Sequence, residues 1–253
     1  GNFWIFESSK FSTLAMVVQQ QQQTLSDYTK MITFEQLRSY QLDEGINDPS
    51  IFKAVFLAGG PGSGKSFIVG RTALTSLGFK LVNSDPVFEL ALKKVGLTAS
   101  PEDIWSPKGQ EIRGRAKEVS GRMLENYIMG RLGLVIDGTG KDYDKIIKQK
   151  DRLEKLGYET AMIFVNTDLD TAIERDQMRE RTVGEKEVTK MWKSVQNNLG
   201  KFQSSFGNKM FIVDNSIGSD FESGAMRVYR TIRTWAQKLP KNKAAKDWMD
   251  SQK

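Results

Sequence analysis

The chain has 253 residues and carries 37 Lys and Arg against 31 Asp and Glu, a formal charge of +6. It contains neither Cys nor His, which excludes cysteine nucleophiles, Ser-His-Asp triads, disulfides and zinc sites built from thiolates or imidazoles. Acid–base chemistry must therefore come from carboxylates, Lys or Tyr. No apolar run approaches 18 residues, and residues 1–11 lack the order of charge and apolarity typical of a signal peptide. We therefore expect a soluble, cytoplasmic protein with one α/β domain and a small appendage.

The charge is unevenly distributed along the chain. Residues 1–50 hold three basic and six acidic side chains, a net of −3, whereas residues 51–253 hold 34 and 25, a net of +9. A basic surplus of this kind favours a polyanionic acceptor such as nucleic acid. A soluble domain that is simply basic is the alternative.

Residues 1–50 are predicted to form a short helical appendage outside the nucleotide-binding unit. They begin with aromatic residues, continue into five consecutive Gln from Gln19, and end at Asp48-Pro49. Nothing in this segment indicates a function.

The segment Gly59 to Ser66 matches the spacing G-x-x-x-x-G-K-[ST] of a phosphate-binding loop without a mismatch. An apolar strand over residues 51–58 precedes it and an apolar helical pattern follows it, which is the context that such a loop requires. We expect Lys65 to reach the β- and γ-phosphates and Ser66 to ligate Mg²⁺. ATP is the default nucleotide because no guanine-reading motif is present. The residues expected to contact the nucleotide are Gly60, Pro61, Gly62, Ser63, Gly64, Lys65, Ser66 and Phe67.

A second strand over residues 79–83 ends in Ser84-Asp85-Pro86. The carboxyl edge of a parallel sheet is where ligands bind, so Asp85 is placed to face the γ-phosphate as a catalytic carboxylate. Alternatively, Ser84 or Asp85 serves only as the N-cap of the helix that begins at Pro86.

The next region is predicted to be a helical insertion with a long helix over residues 108–129. Its apolar face is expected to comprise Ile112, Ala116, Val119, Met123 and Tyr127. A third strand, residues 134–137, then ends in Asp137 followed by Gly138-Thr139-Gly140. Asp137 suits the surroundings of Mg²⁺ and is the rival of Asp85 as the base. The two glycines would let a substrate approach Thr139 closely, unless the segment is a plain turn.

A fourth strand over residues 160–166 leads into a helix predicted to run from Leu169 to Arg181. Its end carries three arginines, and the helix with the following Thr182-Val183-Gly184 has the character of a mobile lid over the phosphates. The alternative is a solvated helix whose arginines pair with neighbouring carboxylates. The three arginines are Arg175, Arg179 and Arg181.

The C-terminal third is predicted to hold a helix over residues 185–202, a fifth strand at 211–213 and a last helix. Asp214-Asn215 would lie near the nucleotide base. The basic end of the chain, with Trp248, is predicted to be a solvated tail, with stacking of Trp248 on a base as the alternative. The expected domains are therefore the appendage at 1–50, a core at 51–220 with a lid near 175–185, and a C-terminal helix and tail at 221–253.

These features together resemble the zeta-toxin and polynucleotide-kinase group of P-loop kinases over residues 51–215. The resemblance implies a three-layer α/β sandwich with a mostly parallel five-stranded sheet, and ATP with Mg²⁺ as cofactors. It also implies that Asp85 activates the acceptor hydroxyl, that Asp137 and Thr139 contact the acceptor, and that the lid arginines clamp the phosphates. The sequence departs from this group in lacking an Arg within residues 86–89, which leaves the acceptor open.

The sequence therefore predicts transfer of the γ-phosphoryl group of ATP to a hydroxyl on nucleic acid, either a 5′-hydroxyl end or a hydroxymethylated base. A kinase acting on a nucleoside, nucleotide or nucleotide sugar would share every phosphate-binding residue. A non-kinase ATPase scaffold is the third possibility, since such a protein would also need the phosphate-binding loop.

Overall fold

The computed structural model describes residues 46–71, 74–178 and 182–253. Residues 45–253 form one compact unit. The predicted appendage, apart from its last five residues, lies outside the described residues.

The described chain alternates strands with helices, and two 3₁₀ turns, Leu74–Leu77 and Gly207–Lys209, interrupt this alternation. The strands are β1 (Lys53–Ala58), β2 (Lys80–Val82), β3 (Leu134–Asp137), β4 (Glu159–Asn166) and β5 (Met210–Asp214). The helices are α1 (Lys65–Arg71), α2 (Asp85–Lys94), α3 (Pro101–Trp105), α4 (Pro107–Met129), α5 (Tyr143–Lys155), α6 (Leu169–Gln177), α7 (Glu185–Phe206), α8 (Phe221–Ala236) and α9 (Lys243–Ser251). In these described segments, every helix is too short or too polar to cross a bilayer.

The five strands form one sheet in the order β2-β3-β1-β4-β5, and every neighbouring pair is parallel. The α/β class and the five-stranded sheet predicted from the sequence are confirmed, and the sheet is wholly rather than mostly parallel. Because the strands are parallel, all five carboxyl ends meet at one edge. This edge receives the phosphate-binding loop after β1 and the polar residues that follow β2, β3 and β5.

The central strand β1 is buried on both faces, as its apolar run, broken only by Lys53, predicts. Phe56 points into a core formed with α4, α5, α7 and α9, while Leu57 points into a core formed with α1 and α8. Helices therefore cover both faces of the sheet, which gives the predicted three layers.

The insertion between β2 and β3 has an apolar cluster of its own, which joins α2, α3 and α4. Helix α4 contributes Ile112 and Ala116 to this cluster, but farther along it contributes Leu124 to the core of the sheet. The predicted apolar face is therefore wrong at Val119, which is 42% exposed, whereas Tyr127 is half-buried and packs against the core of the sheet. The long helix changes partners along its length, so a single straight stripe does not describe it.

The C-terminal segment is a helix packed on the sheet rather than the predicted solvated tail. Ala245 of α9 is fully buried. The Trp248 ring meets the Phe52 ring edge-on at 5.5 Å between centroids, and the Arg131 guanidinium lies 5.9 Å from the indole. Trp248 is therefore part of the core and is not placed to stack on a base.

Candidate active site

The phosphate-binding loop lies between β1 and α1 and is built on glycines with positive φ. Gly62 has φ of +73° and Gly64 has φ of +88°, values that disfavour any other residue. A side chain on Gly62 would strike the carbonyl oxygen of Ala172 in α6, and one on Gly64 would strike the side-chain amide of Asn215. Both positions therefore require glycine because neighbouring protein atoms approach them closely. The approach of a phosphate would be a further reason for glycine at these positions.

The loop offers polar groups that a triphosphate would satisfy. Lys65 opens α1, and its Nζ donates to the carbonyl oxygen of Gly59 at 2.6 Å and more weakly to that of Gly60 at 3.4 Å. Ser63 is fully buried, and its Oγ has no hydrogen-bond partner among the described residues. Ser66 lies exposed in the first turn of α1. A cradle of this shape, with an unsatisfied hydroxyl and a helix N-terminus facing it, fits the phosphates of ATP.

The remaining predicted loop contacts are also placed here. Gly60 is buried, and its missing Cβ would lie 3.8 Å from the backbone of Trp192 in α7. Pro61 is half-buried. Phe67 packs its ring against Phe221 at 5.3 Å between centroids, so its side chain supports α1 against α8.

Asp137 ends β3 beside the phosphate-binding loop. Its Oδ2 accepts a 2.9 Å hydrogen bond from the side-chain amide of Asn83, while its Oδ1 is buried without a partner among the described residues. Burial raises the pKa of Asp137; the nearby Lys65 opposes this shift and the charge of Asp85 adds to it. Asp137, Lys65 and Asp85 are therefore close enough to influence one another.

Asp85 is the first residue of α2, and its side chain is exposed at the carboxyl edge of the sheet. Its backbone N–H donates to Asn83 Oδ1 at 2.8 Å. Ser84 occupies the N-cap position but makes no capping bond with its side chain. Among the described residues neither side chain makes the capping bond of the alternative, and the catalytic role of Asp85 stays a prediction.

The turn after β3 is held from two sides. The backbone N–H of Gly59 donates to the carbonyl oxygen of Thr139 at 3.0 Å. The buried Asn198 of α7 donates from its amide to the carbonyl oxygens of Gly140 and Lys141, both at 3.0 Å. Among the described residues, the one contact of the Thr139 hydroxyl is a long one of 3.5 Å, from the Lys141 N–H. The turn thus presents Thr139 beside the phosphate-binding loop.

The structure places Arg175 differently from the predicted lid. Helix α6 ends at Gln177, so it does not extend to Arg181, and Arg179 and Arg181 lie outside the described residues. The Arg175 guanidinium donates to the carbonyl oxygen of Asn215 at 2.7 Å and weakly to that of Gly62 at 3.5 Å. In this structure Arg175 therefore ties the phosphate-binding loop to the end of β5.

A buried carboxylate near the end of α6 accepts two backbone hydrogen bonds. Asp176 is 1% exposed, and its Oδ2 accepts the backbone N–H groups of Val183 at 2.8 Å and Gly184 at 3.0 Å. These two bonds join the last turn of α6 to the residues that precede α7.

The sequence analysis placed Asn215 near the nucleotide base but did not identify Asn83 or Trp192 as residues of the site. Asn215 follows β5 and donates from its amide to the carbonyl oxygen of Ser63 at 2.8 Å, and Trp192 of α7 donates from its indole to the carbonyl oxygen of Thr167 at 2.8 Å. Asn83 and Asn215 both stand just after a strand, as does the Gly138-Thr139 turn. The rule that located Asp85 would also have found Asn83 had it been applied to amides as well as to carboxylates.

The candidate active site offers few protein groups that could bind a divalent cation. Among the described residues no three Asp or Glu side chains gather in a metal-binding group. Mg²⁺ characteristically keeps waters and takes one or two carboxylates plus substrate phosphates, so Ser66 and Asp137 fit such a site when a nucleotide supplies the other oxygens.

Several solved structures are similar to this chain at low sequence identity. No curated protein sequence matches the chain significantly. Among solved structures, a putative kinase from Chloroflexus aurantiacus J-10-fl is 15% identical, covering 70% of this chain and 97% of its own, with a TM-score of 0.49. Shikimate kinase from Acinetobacter baumannii in complex with shikimate is 18% identical, covering 76% and 97%, with a TM-score of 0.43. A structure of the PezAT chromosomal toxin–antitoxin system of Streptococcus pneumoniae is 16% identical, covering 78% and 92%, with a TM-score of 0.49.

The family of the chain follows from the sequence itself. The model of the family AAA_33, described as an AAA domain, matches residues 55–198, which is more than half of the chain. The match spans the phosphate-binding loop, Asp85, the turn after β3 and most of α7. The chain therefore belongs to the AAA_33 family of AAA domains.

Proposed function

We propose that the protein is an ATP-dependent phosphotransferase of the cytoplasm, related to the zeta-toxin and polynucleotide-kinase group, that moves the γ-phosphoryl group of ATP to a hydroxyl. The observation that carries this proposal is that Asn83 links Asp137 to Asp85 by hydrogen bonds at the edge of the sheet that also bears the phosphate-binding loop and Lys65. A site that only held a nucleotide with Mg²⁺ would need the lysine and one carboxylate such as Asp137, but not the additional exposed carboxylate of Asp85.

In this proposal the phosphate-binding loop positions the triphosphate, and Lys65 exchanges its bond to Gly59 for the β- and γ-phosphates. Mg²⁺, held by the Ser66 hydroxyl with Asp137 beside it, would neutralise charge on the phosphate oxygens. Arg175 and Asn215 stabilise the conformation of the loop. Arg175 donates weakly to the carbonyl oxygen of Gly62, and Asn215 donates to that of Ser63. The role of Arg175 is thus to position the loop.

Asp85 acts as the base that orients the acceptor hydroxyl and accepts its proton. Its exposed side chain at the start of α2 can be reached by an incoming acceptor, whereas Asp137 is held by Asn83 in a more buried position. Thr139 contacts the acceptor from the turn after β3. Arg179 and Arg181 contact the phosphates of ATP.

The acceptor we propose is nucleic acid, at a 5′-hydroxyl end or a hydroxymethylated base. The net charge of +9 over residues 51–253 supports a polyanionic acceptor. A base within a duplex would have to be flipped out or met as single strand, because a base stacked in a duplex cannot bring its hydroxyl to the enzyme's catalytic group.

The test is incubation of the full chain with γ-labelled ATP and a panel of acceptors at 50 and 200 mM salt. The panel contains single- and double-stranded DNA, RNA, hydroxymethylated DNA, nucleosides and nucleotide sugars. We expect label on a nucleic acid, with transfer weakened at the higher salt. Label confined to a nucleoside or a nucleotide sugar would replace the nucleic-acid acceptor with a small molecule while leaving the kinase reaction in place.

A further inference from the structure

A second pocket lies at the opposite edge of the sheet, where the strands begin. It has a volume of about 620 Å³ and is walled by α8, the segment after it, the start of β4 and the turn before β5. We call it the basal pocket. Because β1 separates this edge from the phosphate-binding loop by six residues, the two sites are about 17 Å apart at roughly 3.3 Å per residue. The basal pocket is therefore separate from the candidate active site.

The basal pocket carries four cationic side chains without compensating anions. They are Lys209, Arg230, Lys238 and Lys241, and all four are exposed. None of them forms an ion pair with a carboxylate of the described segments at 46–71, 74–178 and 182–253. Unpaired cations also occur elsewhere on the described surface, as at Lys145, Lys148 and Lys155 of α5, but there Asp144 and Asp151 line the same pocket.

The single carboxylate of the pocket is already engaged. Glu159 accepts bonds from the fully buried Lys53 at 2.6 Å, from the Trp235 indole at 2.9 Å and from the backbone N–H of Lys241 at 3.0 Å. Its charge therefore offsets that of Lys53 and leaves a charge of about +4 facing the pocket. Burial lowers the pKa of Lys53, and the nearby charges of Lys209 and Lys238 lower it further, against the opposing effect of Glu159.

The aromatic residue of the pocket is not free to stack on a ligand base. Trp235 is 7% exposed, and its ring is approached by Lys53 at 5.2 Å and Lys209 at 5.7 Å. Recognition in this pocket would therefore depend on charge rather than on the identity of a base.

We propose that the basal pocket binds closely spaced phosphate groups, as found in a polyphosphate or along a single nucleic-acid strand. Its volume suits a ligand of this size. Four cations around one recess match several phosphates better than a single anion. The pocket would thus hold a phosphorylated ligand at a point remote from phosphoryl transfer.

The experiment uses the full chain carrying Lys65→Ala, which weakens phosphate binding at the active site. Binding of sodium tripolyphosphate and of an unphosphorylated 12-nucleotide DNA strand is measured by titration calorimetry. Each is repeated after adding Lys209→Gln, Arg230→Gln and Lys241→Gln. The matched control instead adds Lys145→Gln, Lys148→Gln and Lys155→Gln, three exposed lysines of α5 that remove the same charge elsewhere.

We expect the changes in the basal pocket to weaken binding of at least one probe by about tenfold or more, and the control changes to have little effect. The probe whose binding is weakened by these changes shows whether the ligand is a polyphosphate or a nucleic-acid strand. If three DNA phosphates are contacted, raising the salt from 50 to 200 mM should weaken DNA binding about 20-fold. If neither probe binds, or if both sets of changes weaken binding equally, the proposal is overturned. Lys241→Gln alone provides the same comparison should the triple change unfold the chain.

Discussion

The side-chain amide of Asn83 donates a 2.9 Å hydrogen bond to the carboxylate of Asp137. The other end of the same amide accepts the backbone N–H of Asp85 at 2.8 Å. One side chain at the end of β2 therefore links the carboxylate that ends β3 to the start of α2. The relative placement of the two acidic groups in the candidate site depends on this link.

Replacing Asn83 by Ala should lower phosphoryl transfer about 10- to 100-fold, the range found when a group that orients a metal ligand is removed. Asn83→Asp is a more specific test of how Asn83 influences Asp137. It places a second carboxylate beside Asp137, so the pKa of Asp137 should rise further and the acid limb of the pH–rate profile should move to higher pH. An unchanged profile for Asn83→Asp would show that Asp137 need not be ionised for transfer.

Asp85→Asn should lower transfer by about 10²- to 10⁴-fold, because the acceptor hydroxyl loses its base. The affinity for ATP should change little, since Asp85 lies outside the phosphate-binding loop. The control is Asp144→Asn, which removes another exposed carboxylate from the first turn of a helix. Rates and ATP affinity are measured on all three proteins. Full activity in Asp85→Asn would assign the base elsewhere, with Asp137 as the first candidate.

Asp137→Asn should lose transfer yet raise the melting temperature at pH 7. Burial raises the pKa of Asp137, so the folded chain binds its proton more tightly than the unfolded chain. Stability therefore falls as the pH rises through the interval from the ordinary pKa to the raised one, and the cost is fully present above it. A neutral amide removes that cost. Thermal melts at pH 7 and at acid pH should show a gain only at the higher pH.

Arg175→Ala should weaken ATP binding and reduce stability more than it reduces the rate with saturating ATP. An arginine that stabilises transferring phosphate contributes about 10³ to 10⁵ in rate. Arg175 instead donates to the carbonyl oxygens of Asn215 and Gly62. A rise in KM with less than about a tenfold loss of kcat is therefore expected, and a loss of 10³ or more in kcat alone would restore the lid role predicted from the sequence.

Glu159→Gln should destabilise the fold by about 3 kcal/mol, because it leaves the fully buried Lys53 without a counter-charge. The control is Glu125→Gln, which breaks a half-exposed pair with Arg152 and should cost less than about 1 kcal/mol. Chemical denaturation of the two variants at pH 7 gives the comparison. Equal losses would show that the pair of Lys53 and Glu159 is not the buried charge that holds β1 to β4.

The parts of the fold and the site that depend on local sequence were predictable. An apolar run followed by the spacing from Gly59 to Ser66 predicts strand, loop and helix, and the strand before Asp137 was placed with its correct ends. These signals lie within about ten consecutive residues, where strand burial and glycine geometry determine the structure.

What the sequence did not reveal depends on contacts between distant segments. Asn215 lies 152 residues from its partner Ser63, and Glu159 lies 106 residues from Lys53. The basic residues around Trp248 are typical of a solvent-exposed segment and therefore predict a tail, yet the Trp248 ring packs on Phe52. Arg175 shows the same limit, since its partners are backbone carbonyls that no side-chain pattern records.

The central claim is that a hydroxyl, rather than water, receives the γ-phosphoryl group. The most direct measurement separates covalently bound label from free phosphate after incubating the wild-type chain and Lys65→Ala with γ-labelled ATP, Mg²⁺ and the acceptor panel. The account predicts label on an acceptor with the wild-type chain and its loss with Lys65→Ala. Label found only as free phosphate with the wild-type chain would contradict it and would identify the protein as an ATPase.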